Sequence, residues 1–259
     1  MKYFVIDVFT DKLFGGNPAG VCLLDRWPDD VLMQKIAMEN NLAETAFLVR
    51  ESIGTYGLRW FTPKVEIDLC GHATLASAFV LMNEVCALSD TVEFHTLSGP
   101  LTVTRSGDIF TMDFPNRSPV PCDVPPLLEQ ALGVPVLETH KSRDLLVLLD
   151  NEDTVRNLRP DFSLLRKIDN VFAVIVTAEG TDCDFVSRFF APNAGIPEDP
   201  VTGSSHCTLI PFWSSRLGKK RMTARQLSAR GGSLICEDSG ERVKIGGQAV
   251  CYLRGEIGL

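Results

Sequence analysis

Residues 59–63 read Arg-Trp-Phe-Thr-Pro and residues 188–192 read Arg-Phe-Phe-Ala-Pro, two similar segments that begin 129 positions apart. Further along, Gly71 and Gly203 each open an apolar helical segment, and these two glycines are 132 positions apart. The order strand, proline turn, loop, glycine and buried helix therefore occurs twice, with three residues inserted in the second copy. Self-similarity over so long a stretch indicates a duplicated domain. Two similar halves that face each other would form a cleft.

The helix predicted for His72–Asn83 is apolar on nearly every side. A short helix without a polar face is typical of burial on all sides, so we expect strands to surround it. A second helix, predicted from Gly203 to about Leu217, has the same place in the other half. Pro115–Pro126 is rich in proline and interrupts regular structure, as linkers between folding units do. We therefore predict domains at 1–116 and 117–259.

Short β-branched or aromatic runs separated by Gly, Pro and Asn predict the strands. In the first half they are Lys2–Phe9, Ala19–Leu24, Thr45–Val49, Leu58–Phe61, Thr91–Leu97, Leu101–Thr104 and Ile109–Phe114. In the second half they are Leu145–Leu149, Phe172–Thr177, Asp184–Phe190, Gln226–Ala229, Ser233–Glu237, Arg242–Ile245 and Ala249–Leu253. A surface helix is predicted for Pro28–Asn40, which places Val31, Leu32, Ile36 and Ala37 at helical spacing.

The composition excludes several classes of protein. The 259 residues are 45% hydrophobic and 22% charged, which is typical of one large folded domain or two small ones. The net charge is −8 and no basic run offers a surface for a nucleic-acid backbone. The N-terminus, Met1–Asp7, acquires a carboxylate before an apolar signal region could form, and no long continuous apolar run follows. We therefore predict a cytoplasmic protein with no nucleic-acid or membrane partner.

The eight cysteines stand alone within apolar segments, which is typical of small core residues rather than of a disulfide framework. The four histidines lack the paired spacing of zinc sites. Cys70 with His72, or His206 with Cys207, could ligate a metal, but ligands so close in sequence rarely share one tetrahedral site. We predict no metal site.

The starts of the two buried helices form a candidate anion site. If an approximate two-fold axis relates the halves, the loops before Gly71 and Gly203 would meet across the cleft. The exposed N–H groups of a helix N-terminus bind anions, and His72, Ser204 and Ser205 add side-chain donors. A small molecule with a carboxylate would suit this site. The alternative is that both glycines only form tight turns into the helices.

Three further polar residues are candidates. Glu44 lies at the start of an apolar strand, where burial would disfavour its charged form and allow proton exchange near neutral pH. The alternative for Glu44 is a solvent-facing strand position. Asp199 precedes a proline, so its carboxylate could point into the cleft or cap a turn. Asn17 could bind a ligand or serve its Asn-Pro turn.

These residues lie in five motifs that occur in the order found in one enzyme family. The motifs are Gly16–Val21, Ala43–Phe47, Arg59–Pro63, Glu66–Thr74 and Glu198–Ser204. Together they resemble the PhzF-like, or phenazine-biosynthesis-like, isomerases over nearly the whole chain. The resemblance implies an α+β, diaminopimelate-epimerase-like fold with two pseudo-symmetric domains, each a β-barrel-like sheet around a central buried helix. It also implies a cleft active site and a homodimer, and it allows the last strand to return to the first domain.

The resemblance also implies an activity: a cofactor-free proton shift on a dihydro-hydroxyanthranilate, a cyclic amino acid with a carboxylate. By position, Glu44 would be the general acid/base, and His72, Asp199 and Ser204 would orient the substrate or handle a second proton. Asn17, Cys70, Gly71 and Gly203 would bind the substrate. We therefore expect an isomerase that acts on a small cyclic or amino-acid-like carboxylate without a cofactor.

Three other functions are alternatives. An epimerase or racemase of this fold uses two thiols, and Cys70 precedes Gly71 where the first would stand. The second copy has Thr202 before Gly203, and an unactivated hydroxyl is a poor base, so this mechanism is disfavoured. A non-catalytic binding protein is the other alternative, although a binder of carboxylates gains nothing from carboxylates such as Glu44 in its own site. A Cys-His hydrolase using Cys70 or Cys207 is weaker still.

Overall fold

The computed structural model describes residues 1–85 and 90–258. The first half of the chain contains β1 (Lys2–Val8), β2 (Asn17–Leu24), α1 (Asp30–Asn40), β3 (Glu44–Ser52), β4 (Thr55–Phe61), β5 (Glu66–Ile67), α2 (Gly71–Val80), a π-helical turn (Leu81–Val85), β6 (Thr91–Thr96), β7 (Gly99–Ser106) and β8 (Ile109–Pro115). The second half contains β9 (Val120–Pro121), α3 (Leu128–Leu132), β10 (Glu138–Lys141), β11 (Leu145–Leu148), α4 (Glu152–Asn157), α5 (Phe162–Leu165), β12 (Val174–Glu179), β13 (Phe185–Ala191), a 3-10 turn (Pro192–Ala194), β14 (Ile196–Asp199), α6 (Gly203–Leu217), β15 (Arg221–Gln226), β16 (Gly232–Asp238), β17 (Arg242–Gly247) and β18 (Ala249–Glu256).

The chain forms two compact units. One consists of Met1–Asp113 with Gly246–Leu259, and the other of Phe114–Ile245. In the first unit β1 pairs antiparallel with β2 and β18, and β2 continues parallel to β3. β3 then pairs antiparallel with β4, and β4 pairs with β5 and, in parallel, with β6. The helix α2 packs against β1, β2 and β3.

The second unit repeats this plan. β10 pairs antiparallel with β11, β11 runs parallel to β12, and β12 pairs antiparallel with β13. β13 pairs with β14 and, in parallel, with β15, as β4 does with β5 and β6. The helix α6 packs against β15 and β16. The mixed α/β architecture with one buried helix per unit confirms the predicted fold class.

The repeat extends to individual contacts. Arg59 donates to both carboxylate oxygens of Glu66 at 2.6 Å, and Arg188 donates to both oxygens of Glu198 at 2.7 and 2.9 Å. Each guanidinium also lies over the ring two residues further on: Phe61 at 5.3 Å and Phe190 at 5.0 Å. A bidentate pair of this kind fixes the angle between two neighbouring strands. The three inserted residues of the second copy fall in the segment that contains the 3-10 turn, between Arg188 and Glu198.

Burial of α2 also agrees with its apolar sequence. Eight of its ten residues are buried, from His72 to Val80. The regular helix ends at Val80 rather than at Asn83, because the next residues, Leu81–Val85, form a π-helical turn. The predicted central helix is therefore confirmed, three residues shorter at its C-terminus.

Other predictions of elements need correction. In α1 the buried residues are Met33, Ile36 and Ala37, whereas Val31 is 63% exposed. The helix begins after its N-cap Asp29, which accepts a hydrogen bond from the Leu32 amide at 2.7 Å, and this start turns Val31 outward.

The strand predicted at Gln226–Ala229 is wrong. The strand is β15, and it ends at Gln226. Its residues alternate between exposed and buried positions, and the exposed ones are Arg, Thr and Arg. Because polar residues occupy alternate positions, the sequence pattern did not indicate this half-buried strand at the border of the core. The strands β5, β9, β10 and β14 and the short helices α3, α4 and α5 were also absent from the prediction.

Within residues 1–85 and 90–258, none of the helices combines the length and the apolar character that crossing a membrane would require.

Candidate active site

In the first unit, Glu44 and His72 come together at the start of β3 and in the first turn of α2. Both side chains are buried, with Glu44 8% and His72 7% exposed. His72 Nε2 lies 3.0 Å from Glu44 Oε2. The ring N–H is not aligned with that oxygen, so the contact is an ionic one without hydrogen-bond geometry. A buried carboxylate next to an imidazole is an arrangement that can hold and release a proton.

The other ring nitrogen of His72 faces two different residues. Nδ1 lies 3.4 Å from the amide nitrogen of Asn17 and 3.6 Å from the Cys70 sulfur. Gly16 sets Asn17 in place: it adopts φ +60°, and a Cβ there would lie 2.0 Å from the Val8 carbonyl oxygen. Only glycine fits this turn. An uncharged His72 ring that accepts from Asn17 at Nδ1 carries its proton on Nε2, on the side of Glu44.

Burial and neighbouring charges shift the pKa values of His72 and Cys70. Burial lowers the pKa of His72, whereas a negative charge on Cys70 or on Glu44 raises it, and the net shift is upward. Burial raises the pKa of the Cys70 thiol, and the Glu44 charge raises it further. Cys70 is therefore a neutral thiol at physiological pH, while His72 favours the proton-bearing form beside a carboxylate.

The starts of α2 and α6 are built alike. Cys70 and Thr202 are the N-cap residues, both have extended backbones, and neither caps its helix through its side chain. The N–H groups of the first turn are thus left without a side-chain cap from these residues, as an anion site requires. Each helix then begins with a glycine, Gly71 or Gly203.

In the second unit, Asp199 ends β14 and lies three residues before the N-cap of α6. Its Oδ2 accepts a hydrogen bond from the Thr202 hydroxyl. Asp199 therefore contacts the N-cap residue of α6 through its side chain.

Gln226 anchors the loop between β14 and α6. Its Nε2 donates to the Asp199 carbonyl at 2.8 Å, and its Oε1 accepts from the Thr202 amide at 2.8 Å. Gln226 is buried at the end of β15. This role could not be predicted from the sequence, since a glutamine at the end of a polar run is ordinary.

Ser204, the second residue of α6, is half-buried and accepts a hydrogen bond from Arg143 Nη2 at 3.4 Å. Arg143 was not among the predicted site residues. Ser205 instead turns back into the helix, because its hydroxyl donates to the Thr202 carbonyl at 2.8 Å. Ser204 is therefore the serine of this pair that can face a ligand.

The two units differ in their acidic residues. Thr45 pairs with Phe61 as Val174 pairs with Phe190, so Glu44 corresponds to Ala173 in the second unit. The second unit therefore carries no counterpart of Glu44 at this position. Its own carboxylate, Asp199, stands in a different place, at the end of β14.

A metal site was not predicted, yet the donor atoms of Glu44, Cys70 and His72 lie within 4.8 Å of one another. These atoms do not converge on one ion as they stand. Cys70 lies beside Nδ1 of His72 and Glu44 lies beside Nε2, and one ion binds only one nitrogen of a histidine ring. The other pair considered, His206 with Cys207, belongs to no group of three metal-ligating side chains among the residues that the structure describes.

The predicted site residues thus form two groups. Asn17, Glu44, Cys70, Gly71 and His72 lie together in the first unit. Asp199, Gly203 and Ser204 lie together in the second, with Gln226 and Arg143 as additions. That both groups act on one substrate stays a prediction.

Comparison with known proteins gives consistent results. The sequence profile of the family described as phenazine biosynthesis-like protein matches residues 6–255. A protein of Pseudomonas aeruginosa described as an uncharacterized isomerase is 51% identical, over 100% of this chain and 99% of its own length. The crystal structure of a PhzF family protein from Enterococcus faecalis has a TM-score of 0.98 and 48% identity, and it covers 100% of this chain and 99% of the other.

A more distant structure shows the wider fold. A probable proline racemase from Agrobacterium radiobacter is 10% identical with a TM-score of 0.64, covering 100% of this chain and 93% of its own. That likeness concerns the fold alone and confirms the epimerase-like architecture. The close matches span nearly the whole chain, and from them the chain belongs to the phenazine biosynthesis-like, or PhzF, family.

Proposed function

We propose that this protein is a cofactor-independent isomerase that moves a proton on a small cyclic or amino-acid-like carboxylate. The observation that carries the proposal is the buried contact between Glu44 Oε2 and His72 Nε2, 3.0 Å apart. A carboxylate removed from water costs free energy, and a folded protein keeps one where a neighbouring charge or a function retains it. The relatives named as isomerases support the reaction class.

In this proposal Glu44 is the general acid/base. Its carboxylate accepts a proton from a carbon of the substrate and returns a proton to another carbon, so the double bonds shift and no electrons enter or leave the molecule. His72 stabilises the anionic form of Glu44 when its ring is protonated. A single group that removes and returns the proton needs no cofactor.

The remaining site residues hold the substrate. The uncapped N–H groups at Gly71 and Gly203 carry partial positive charge that suits a carboxylate. Asp199 and Ser204 orient the polar groups of the substrate or handle a second proton, and Asn17 fixes the His72 ring. We further propose that the chain acts as a homodimer in the cytoplasm. Sedimentation equilibrium tests the dimer, and a monomer mass would contradict it.

The substitution Glu44→Gln tests this function because it keeps the shape and removes the ionisable group. With 2,3-dihydro-3-hydroxyanthranilate as the probe, we expect kcat to fall by at least about a hundredfold, the usual contribution of a general acid/base. Turnover is followed by NMR.

Glu51→Gln is the matched control for this test. Glu51 lies on the same strand, β3, and also contacts a histidine, since its Oε2 is 2.7 Å from His95 Nδ1. That contact is exposed. The control should turn over like the wild type, and an undiminished kcat in Glu44→Gln would refute the role of Glu44.

The second candidate is a thiol-based epimerase, favoured by the 3.6 Å contact between Cys70 Sγ and His72 Nδ1. Two observations oppose it: the raised pKa of Cys70 keeps the thiol protonated, and Thr202 occupies the place of the second thiol. We predict that Cys70→Ala retains most of the turnover measured for the wild type. A loss as large as that of Glu44→Gln would instead establish the thiol mechanism.

A non-catalytic binding protein is the remaining alternative. Such a protein would bind the probe without converting it. Saturable binding by the wild type with no turnover, in an assay where a known enzyme of the family converts the probe, would favour this alternative.

A further inference from the structure

An arginine that the sequence did not single out stands beside a predicted site residue in the second unit. Arg143 precedes β11, and its Nη2 donates to the hydroxyl of Ser204 at 3.4 Å. Ser204 is the second residue of α6, directly after Gly203. A guanidinium at this place adds a full positive charge to the partial charge of the helix start.

The guanidinium is held in place on two sides. Asp144 is only 1% exposed, and its Oδ1 and Oδ2 accept hydrogen bonds from Arg143 Nε and Nη2 at 3.1 and 2.8 Å. The guanidinium carbon also lies 5.3 Å from the centre of the Phe172 ring. A buried carboxylate and an aromatic ring fix the orientation of the guanidinium group, so that binding a ligand costs little further conformational entropy.

These contacts leave part of the guanidinium group available for a ligand. Within the described residues, Arg143 Nη1 makes no hydrogen bond, and the 3.4 Å bond to Ser204 is long. The Arg143 side chain is 39% exposed. The Nη1 and Nη2 groups together form the end of the fork that matches both oxygens of a carboxylate.

The surroundings carry an excess of positive charge. Burial raises the pKa of the Cys207 thiol to about 11, whereas the charges of Arg117 and Arg143 act to lower it. Asp144 acts in the opposite direction on the same thiol. Both arginines are therefore close to this part of α6, and among the residues that the structure describes the Arg117 side chain has no ion pair. One aspartate opposes two arginines, which favours an anion.

The internal repeat assigns this position to the site independently. In the first unit Asn17, at the start of β2, contacts His72, the second residue of α2. In the second unit Arg143, before β11, contacts Ser204, the second residue of α6.

The strand pairing shows how close this correspondence is. Gly20 pairs with Thr45 as Leu145 pairs with Val174, so Arg143 corresponds to Pro18, the neighbour of Asn17. The two contacts thus arise from nearly the same point of the repeated fold. Because Asn17 contacts the proposed catalytic histidine, this correspondence supports a role for Arg143 in binding the substrate.

We propose that Arg143 binds the carboxylate of the substrate and makes the enzyme select acids over their uncharged analogues. This inference rests on the proposed function and specifies its substrate class. Nη1 and Nη2 donate to the two carboxylate oxygens, and the Ser204 hydroxyl donates to one of them in place of its contact with Arg143. The positive charge also stabilises the additional negative charge that forms on the substrate during proton removal.

The test is a binding measurement, which does not depend on turnover. Isothermal titration calorimetry compares 3-hydroxyanthranilate with its carboxamide on wild-type protein, Arg143→Gln and Arg143→Lys. We expect the wild type to prefer the acid by about tenfold or more, the usual contribution of a charge-assisted pair. Arg143→Gln should lose this preference with little change for the amide. Arg143→Lys should keep part of it, because the charge stays and the fork is lost.

Arg216→Gln is the matched control. Arg216 lies near the other end of α6, pairs with Glu138, lies 5.2 Å from the Phe212 ring centre and is also 39% exposed. Its replacement should leave the preference for the acid unchanged.

Two results would overturn the inference: wild-type protein that binds the acid no better than the amide, or Arg143→Gln that retains the preference of the wild type while its circular dichroism spectrum is unchanged. Either result leaves the test of Glu44 standing, since that test measures turnover. Conversely, an active Glu44→Gln variant would refute the proton-transfer role without affecting the binding result.

Discussion

At the scale of single residues, the chemistry of this protein depends on which buried polar groups have partners. Glu44 and His72 are buried next to each other, and a protonated His72 ring and the Glu44 carboxylate stabilise each other. His206, the fourth residue of α6, is buried without such a partner: its Nδ1 faces the Thr202 carbonyl, and its ring lies 6.0 Å from that of Phe185. The two buried histidines should therefore respond to acid in opposite ways.

His206 makes the protein sensitive to acid. Burial lowers the pKa of its ring to about 4, from an ordinary value of 6.5. The unfolded chain binds a proton at His206 below about pH 6.5, and the folded chain does so only near pH 4, so the free energy of unfolding falls as the pH falls through this window. The loss is up to about 1.4 kcal/mol for each pH unit.

Urea unfolding of wild type and His206→Gln at about pH 7.5 and about pH 5 measures this effect. The wild type should lose more stability between the two values than the variant. His95→Gln, at an exposed position, serves as the control and should not reduce the loss. Equal losses in wild type and His206→Gln would contradict the assignment.

At the scale of elements, the site depends on the loop between β14 and α6. Gln226 joins the end of β15 to Asp199 and Thr202, through the two 2.8 Å hydrogen bonds and a third at 3.3 Å from its Nε2 to the Thr202 hydroxyl. This loop carries one of the two carboxylates assigned to the reaction and the N-cap of α6.

The substitution Gln226→Leu tests how much this side chain contributes to stability. The Thr202 amide and the Asp199 carbonyl would lose their partners in a buried place, and each such group costs about 1–3 kcal/mol. We expect the free energy of unfolding to fall by at least about 2 kcal/mol in urea. Arg225→Leu, the exposed neighbour on β15, is the control. A Gln226→Leu variant as stable as this control would contradict the role of the loop anchor.

The helices and strands differ in how well the sequence predicts them. The buried helices and most strands were predictable because apolar runs and proline turns have strong local signals. β10 and β15 were not, since a strand such as Arg221–Gln226 places polar residues at every second position. Arg143 escaped notice for a different reason: it lies in the polar run Lys141–Asp144, and only the pairing of β11 with its neighbours brings it to Ser204.

At the scale of the whole molecule, the duplication explains why the two units share a framework and differ in chemistry. Arg59 with Glu66 and Arg188 with Glu198 are retained in both units and support neighbouring strands. The reactive positions have diverged, since Glu44 corresponds to Ala173 and His72 to Ser204. The strand order and the contacts of the retained pairs could be inferred from the repeat, whereas the divergent residues acquire meaning only from their surroundings in the fold.

Independence from metals is a prediction about the whole protein. Because Cys70 and Glu44 face different nitrogens of His72, we expect exhaustive dialysis against a chelator to leave turnover of the probe unchanged within about twofold. Turnover is measured by NMR before and after dialysis, with added zinc as a second condition. Activity that disappears on dialysis and returns with the metal would contradict a metal-free reaction.

The most direct test of the account follows a proton. In D2O, wild-type protein should introduce deuterium from the solvent into 2,3-dihydro-3-hydroxyanthranilate at the carbon that receives the proton, because the Glu44 carboxyl exchanges with water between turnovers. Mass spectrometry should find this label with wild-type protein and with Glu51→Gln, and should find none above background with Glu44→Gln. Label introduced by Glu44→Gln at the wild-type rate would show that another group carries the proton.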